Sequence, residues 1–325
     1  MTTRRELIIV SGAWATLTTA RAYAQSAKAL PRIGILSPFN RSADVFRDAF
    51  LQRLQELGYR VGRNLQVDYR TAEGTSDRLP QLAVDLVEHM VEVIVTTTAL
   101  GAQAAKQATT TVPIIFAGVD DAVEQGLVSS LAKPGANVTG VSLLNTELSA
   151  KRVELIKRTL PIASRIAYLR DAVGAATSLR ATEAAARALG MRILVMEVRA
   201  PNEIDGVLAA LARERVGALI VAQSPILTTE EQRVIALATK HRLPTVFAYR
   251  TAVEAGGMMS YGPKLVEVYR RAADYAQRIL TGAKPENLPV EQPTSFELVI
   301  NLKTATALGV KIPQSILHSA DDMIR

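Results

Sequence analysis

The stretch Val112–Leu143, VPIIFAGVDDAVEQGLVSSLAKPGANVTGVSL, decides the fold. It opens with the apolar run Val112–Phe116, of the kind that forms a strand covered on both faces. Small Ala117 and Gly118 end the run, and Asp120 and Asp121 follow. Ligands of open α/β sheets sit in the crevice beyond the carboxyl ends of the strands. Two carboxylates placed there either cap a helix or attract a cationic, hydrogen-bonding group. An amphipathic segment (Val123, Leu127, Leu131) then reaches the turn Lys133-Pro134-Gly135, and Val138–Leu143 reads as a strand leading the chain away.

Outward from this stretch the same unit repeats: apolar strand, small or polar break, amphipathic helix. Arg32–Ser37, Leu65–Tyr69 and Val93–Thr97 precede it as strands, separated by helices that carry Phe46, Phe50, Leu54 and then Leu79, Leu82, Leu86 on one face. A second series follows, with strands Arg165–Leu169, Arg192–Val198, Gly217–Val221 and Thr245–Ala248 and helices near 176–189, 202–213 and 229–240. Such alternation implies parallel strands with right-handed crossovers. Extended passages near 139–143, 257–261 and 288–294 separate the blocks, which leaves a two-lobe chain, a single domain or a tandem arrangement open.

Composition narrows the function classes. The chain has 325 residues, 48% of them hydrophobic and only 5% aromatic, enough for two cores built from aliphatic side chains. Its formal charge of +7 is spread along the sequence without a Lys/Arg block, which argues against nucleic acid as a partner. Cysteine is absent, so neither a disulfide framework nor a lipid-bearing cysteine tether is available. Residues 1–24 read as an export signal: Arg4-Arg5, an apolar centre from Leu7 to Leu17, and Ala22-Tyr23-Ala24 before a mature start at Gln25. Thr3-Arg4-Arg5-Glu6-Leu7-Ile8 leaves the twin-arginine and general secretion routes both open. The single tryptophan, Trp14, falls in this leader.

A resemblance joins these observations. Asp121-Ala122-Val123, Gly126-Leu127-Val128, Pro134-Gly135 and Asn137-Val138-Thr139-Gly140 resemble the signature of a group of bacterial ABC-transporter substrate-binding proteins that includes tryptophan-binding members. The likeness returns in Glu291-Gln292-Pro293-Thr294, Phe296–Lys303, Ala307-Leu308-Gly309, Ile312-Pro313 and Ala320-Asp321-Asp322. The group more often has Pro at 122, Glu at 322 and Asn at 170, where this chain has Ala, Asp and Arg. The resemblance implies a type I periplasmic binding fold: α/β, two Rossmann-like lobes with parallel sheets, joined by a three-crossing hinge. The lobes would be residues 31–141 plus 259–290 and residues 142–258 plus 291–325. It further implies a monomer in the periplasm, a small-molecule ligand (an amino acid or related carboxylate, possibly aromatic), and an ABC permease of the inner membrane as partner. A sensing module for a membrane signalling protein and an exported α/β enzyme are the alternatives.

No catalytic motif supports the enzyme: nucleophile elbow, dinucleotide fingerprint, phosphate loop and zinc-binding His pairs are all missing from the sequence. His89, His241 and His318 fall near helix ends or in a terminal loop, so no metal and no cofactor is expected. Strand ends supply the candidate ligand contacts. Phe39 and Asn40, Thr97 and Thr98, and Asp121 belong to the first lobe; Arg170, Gln223 and Tyr249 belong to the second; Glu254 stands ahead of a crossing. Asp121 suits an ammonium or a helix cap, and Thr97 or Thr98 a carboxylate or a cap. Phe39 and Tyr249 either flank an apolar ligand or fill core.

Overall fold

The structure, a computed structural model, describes residues 30–39, 45–172 and 176–325. The proposed leader and Asn40 lie outside the described residues. Two sheets organise the chain. The first contains β1 (Arg32–Ser37), β2 (Gln66–Thr71), β3 (Val93–Thr96), β4 (Ile114–Asp120) and β5 (Val138–Leu143), in the order β2-β1-β3-β4-β5, all parallel. Helices α1 (Val45–Glu56), α2 (Leu79–Glu88) and α3 (Ala99–Ala108) connect its strands. Apolar clusters cover both of its faces, one around Phe116, Leu86 and Ile94, the other around Phe50, Ile35 and Tyr275. The uninterrupted apolar strands of the sequence reflect this double cover.

After β5 the chain runs through α4 (Asn145–Thr159) into a seven-stranded sheet. Its strands are β6 (Arg165–Asp171), β7 (Arg192–Val198), β8 (Leu219–Val221), β9 (Thr245–Phe247), β10 (Met259–Pro263), β11 (Phe296–Asn301) and β12 (Asp322–Ile324). They lie in the order β12-β11-β10-β9-β8-β6-β7, with only β10 and β11 antiparallel. The helices around this sheet include α5 (Ala176–Ala188), α6 (Ile204–Arg213), α7 (Pro225–Thr229), α8 (Glu231–Lys240) and α9 (Arg250–Glu254). Next, α10 (Leu265–Leu280) returns to the first sheet, where Ala272, Ala273, Tyr275 and Ala276 are buried in its core. The chain then crosses again to β11, and α11 (Leu302–Ala307) and α12 (Gln314–Leu317) complete it.

The chain therefore passes between the sheets after β5, after β10 and before β11. The sequence reading placed 259–263 with the first lobe and 142–143 with the second. The structure reverses both assignments. Met259–Pro263 pairs with β9 and β11 and buries Met259 in the second core, while Ser142 and Leu143 complete β5 against β4.

The signature residues build these passages. Asn137 donates its side-chain amide to the carbonyls of Val112 (2.8 Å) and Thr109 (3.2 Å), holding the turn before β5. Thr139 Oγ1 donates to Leu288 O (2.6 Å), and Glu291 N donates to Gly140 O (3.0 Å), which fastens the third passage alongside β5. A Cβ on Gly140 would stand 2.0 Å from the Phe116 carbonyl oxygen, so only glycine allows β4 and β5 to approach there. At the other end Arg250 donates to Glu297 (3.1 Å) and Asp322 (2.8 Å), tying α9 to β11 and β12.

Candidate functional site

In both sheets the strand order reverses beside the first strand of the set, at β1/β3 and at β6/β8. Crevices open at such switch points, beyond the strand carboxyl ends. At the second one lies a cavity of about 60 Å³. Its floor is the ends of β6 and β8 with the residues after them, including Tyr168, Arg170, Asp171, Gln223 and Ser224. Ser178 and Thr182 of α5 and Ser149 and Arg152 of α4 form its sides, and Asp120 closes it from the first sheet.

Asp120 reaches the cavity because β4 is bulged. The β4/β5 register shifts between Ala117 and Val119, and Gly118 takes φ +100°, so the strand gains a residue just before the acid. Asn145, the first residue of α4, donates its backbone N–H (2.9 Å) and side-chain amide (3.1 Å) to the Asp120 carboxylate. The same amide donates to the Tyr249 hydroxyl (2.8 Å). Asn145, Ser149 and Arg152 share one face of α4 at i, i+4 and i+7, and all three are buried. Arg152 donates Nη2 to Asn145 Oδ1 (2.6 Å) and Nε to the Tyr261 carbonyl (2.8 Å).

Burial dominates the electrostatics of this cluster. Asp120 keeps a solvent-facing edge but is enclosed on most sides, and desolvation raises its pKa to about 6 against the hydrogen bonds from Asn145 and the charge of Arg152. Desolvation lowers the pKa of the Arg152 guanidinium, with Tyr249 and Asp120 opposing. The Tyr249 hydroxyl is raised well above its ordinary value by burial.

The candidates chosen from sequence divide in two. Arg170 and Gln223 line the cavity; Arg170 donates Nε to the Asp171 carbonyl (2.9 Å), and Gln223 donates to Thr228 Oγ1 (2.8 Å). The remaining described candidates are not among its walls. Asp121 accepts from Thr146 Oγ1 (2.9 Å) beside the first passage, and the bulge gives the cavity position to Asp120 instead. Thr98 caps α3, accepting from Gly101 N (3.2 Å), and Thr97 is buried behind it. Tyr249 is buried with Val141, Leu143 and Val268 in an apolar cluster between the sheets. Glu254 lies on the surface, paired to Arg250 (3.0 Å) one helical turn earlier. Phe39 is partly buried after β1, where Thr71 donates to its carbonyl.

Sequence reasoning missed Asn145, Ser149 and Arg152. Their polar spacing along α4 was the available signal. Each histidine directly follows a helix, in keeping with the helix-end positions read from the sequence. Among the described residues no cluster of acids, histidines or cysteines has the makings of a metal site, and no helix is long and apolar enough to cross a membrane.

Known proteins share this fold. A crystal structure of a conserved domain protein from Vibrio cholerae is 29% identical and superposes with a TM-score of 0.85 over 90% of this chain and 99% of that one. A Streptococcus pneumoniae domain solved in complex with L-Trp is 27% identical, with a TM-score of 0.85 over 91% and 100% of the two chains. A tyrosine-binding protein of Clostridioides difficile is 26% identical over 273 residues, 83% of this chain and 78% of its own length. The family model described as ABC transporter substrate binding protein matches residues 33–324. With that match running from β1 to β12, the chain belongs to the family of ABC transporter substrate-binding proteins, whose work is binding rather than catalysis.

Proposed function

We propose that the protein captures an amino acid, an aromatic one by preference, between its lobes and delivers it to an ABC permease. The observation carrying this reading is the polar cavity at the β6/β8 switch point, walled by the second lobe and closed by Asp120 of the first. Asp171 and Arg170 both line the cavity, Asp171 as an acid facing the space and Arg170 with its guanidinium turned to the backbone carbonyls of Asp171 and Ala172. An acidic wall suits a ligand that carries an ammonium group. The relatives that bind L-Trp and tyrosine point the same way. At about 60 Å³ the cavity has room for a few water molecules, far below the ~300 Å³ or more of typical ligand pockets. An amino acid therefore enters only if the lobes separate, and the three passages between the sheets are the natural hinge.

Residues 1–24 act on this reading as an export leader, and the product works in the periplasm. The test uses that exported product, whose mass should place Gln25 first. Lacking Trp14, it contains no tryptophan, so a change in the emission of added L-Trp reports binding without interference from tryptophan of the protein. Thermal-shift and calorimetric titration with the common amino acids, and with sugars as controls, should show at least one amino acid raising the melting temperature. At a hundredfold excess over Kd the stabilisation is about 2.7 kcal/mol. Shifts with sugars alone would overturn the amino-acid reading.

A further inference from the structure

One group on the cavity floor is left without a structural task. Asp171 is 3% exposed, and its Oδ1 has no hydrogen-bond partner among the described residues. Buried carboxylate oxygens are nearly always paired, because an unpaired one loses its hydration and recovers nothing. Its surroundings leave it so. Arg170 directs Nε to the backbone carbonyl of Asp171 and Nη2 to that of Ala172 (3.4 Å). The Thr182 hydroxyl donates to the Ser178 carbonyl (2.6 Å). The other acid of the cavity, Asp120, already accepts both donors of Asn145.

We propose that Asp171 is the receptor for the ligand's ammonium group. This rests on the amino-acid reading above and sharpens it to one contact. A hydroxyl would supply the missing hydrogen bond alone; an ammonium supplies the hydrogen bond and also neutralises the charge. The position at the end of β6 puts that contact on the second lobe, away from the bulged strand that carries Asp120. Asp121, the sequence candidate for this task, is engaged with Thr146 beside the hinge instead.

The experiment compares the wild-type protein with Asp171→Asn, which keeps the shape and removes the charge. L-tryptophan and L-tyrosine are titrated beside indole-3-propionate and 3-(4-hydroxyphenyl)propionate, the same molecules without the amino group. The wild type should prefer an amino acid to its des-amino analogue by about 30-fold or more, the usual consequence of deleting one side of a desolvated charge pair. In Asp171→Asn that preference should collapse to about 3-fold or less, with the des-amino affinity retained. Free of ligand, the variant should melt no lower than the wild type, since it sheds an unpaired buried charge. If Asp171→Asn keeps the wild-type discrimination, Asp171 is not the receptor, although the amino-acid reading stands. If the wild type binds neither amino acids nor analogues, that reading falls and this proposal with it.

Discussion

At the scale of single residues, Asp120 carries the sharpest electrostatic consequence. Its folded-state pKa near 6 lies above the ordinary 3.8, so between those values the native protein holds a proton that the unfolded chain has released. Stability from this group is complete below about pH 4 and is lost as the pH rises through about 6. Between pH 4 and 7 the wild type should thus lose about 1–3 kcal/mol relative to Asp120→Asn, which cannot titrate there. Urea unfolding of both proteins across that range checks it, and parallel pH profiles would refute the assignment. Arg152, Tyr249, Tyr168 and Asp121 keep their identities in the comparison, so the difference isolates Asp120. The residue scale is also where the sequence was least legible. It placed two adjacent acids at a strand end, but alternation along a regular strand could not say which one faced the crevice. The bulge at Gly118 decides it, and a bulge depends on pairing with a strand twenty residues further on.

At the scale of elements, β4 and β5 behave as one unit whose fit depends on Gly140. Gly140→Ala would drive a methyl group into the Phe116 backbone, with its carbonyl oxygen 2.0 Å away and its nitrogen 2.7 Å away. Backbone cannot swing aside as a side chain can, so the strands must part. The expected cost is about 3 kcal/mol or more, the upper range for overpacking. Thermal denaturation measures it, and a melting point within about 2 °C of wild type would show that the ladder yields easily. Ligand affinity should fall as well, because Asp120 loses its position against Asn145. Elements themselves were legible: strand and helix alternation appears in the sequence much as it folds, since strands covered on both faces leave unbroken apolar runs. The destination of Met259–Pro263 was not. A short extended segment can pair with either sheet, and its partners β9 and β11 lie on both sides of it in sequence.

At the scale of the whole molecule, two lobes and three passages were foreseeable from the doubled α/β pattern and the signature residues that fasten them. How tightly the lobes meet was not, because the contacts that set it are polar side chains on separate segments. Glu124, just past β4, accepts from Thr177 Oγ1 (3.1 Å) and from Arg180 Nη2 (3.3 Å), both on α5 across the cleft. Both ends of the ion pair are more than half exposed, so it is worth only about 0.2–1 kcal/mol to the contact between the lobes. If capture requires the lobes to part and close again, Glu124→Ala should weaken ligand binding by no more than about 5-fold. The difference should vanish near 1 M salt, where the Debye length shrinks to about 3 Å. Small-angle scattering supplies the geometric half of the test. Saturating L-Trp should reduce the radius of gyration of both proteins, and the ligand-free Glu124→Ala protein should be at least as extended as the wild type. A scattering curve indifferent to ligand would remove lobe closure from the mechanism. An affinity loss far beyond 5-fold would instead move Glu124 from a closing contact on the rim to a direct contact with the ligand.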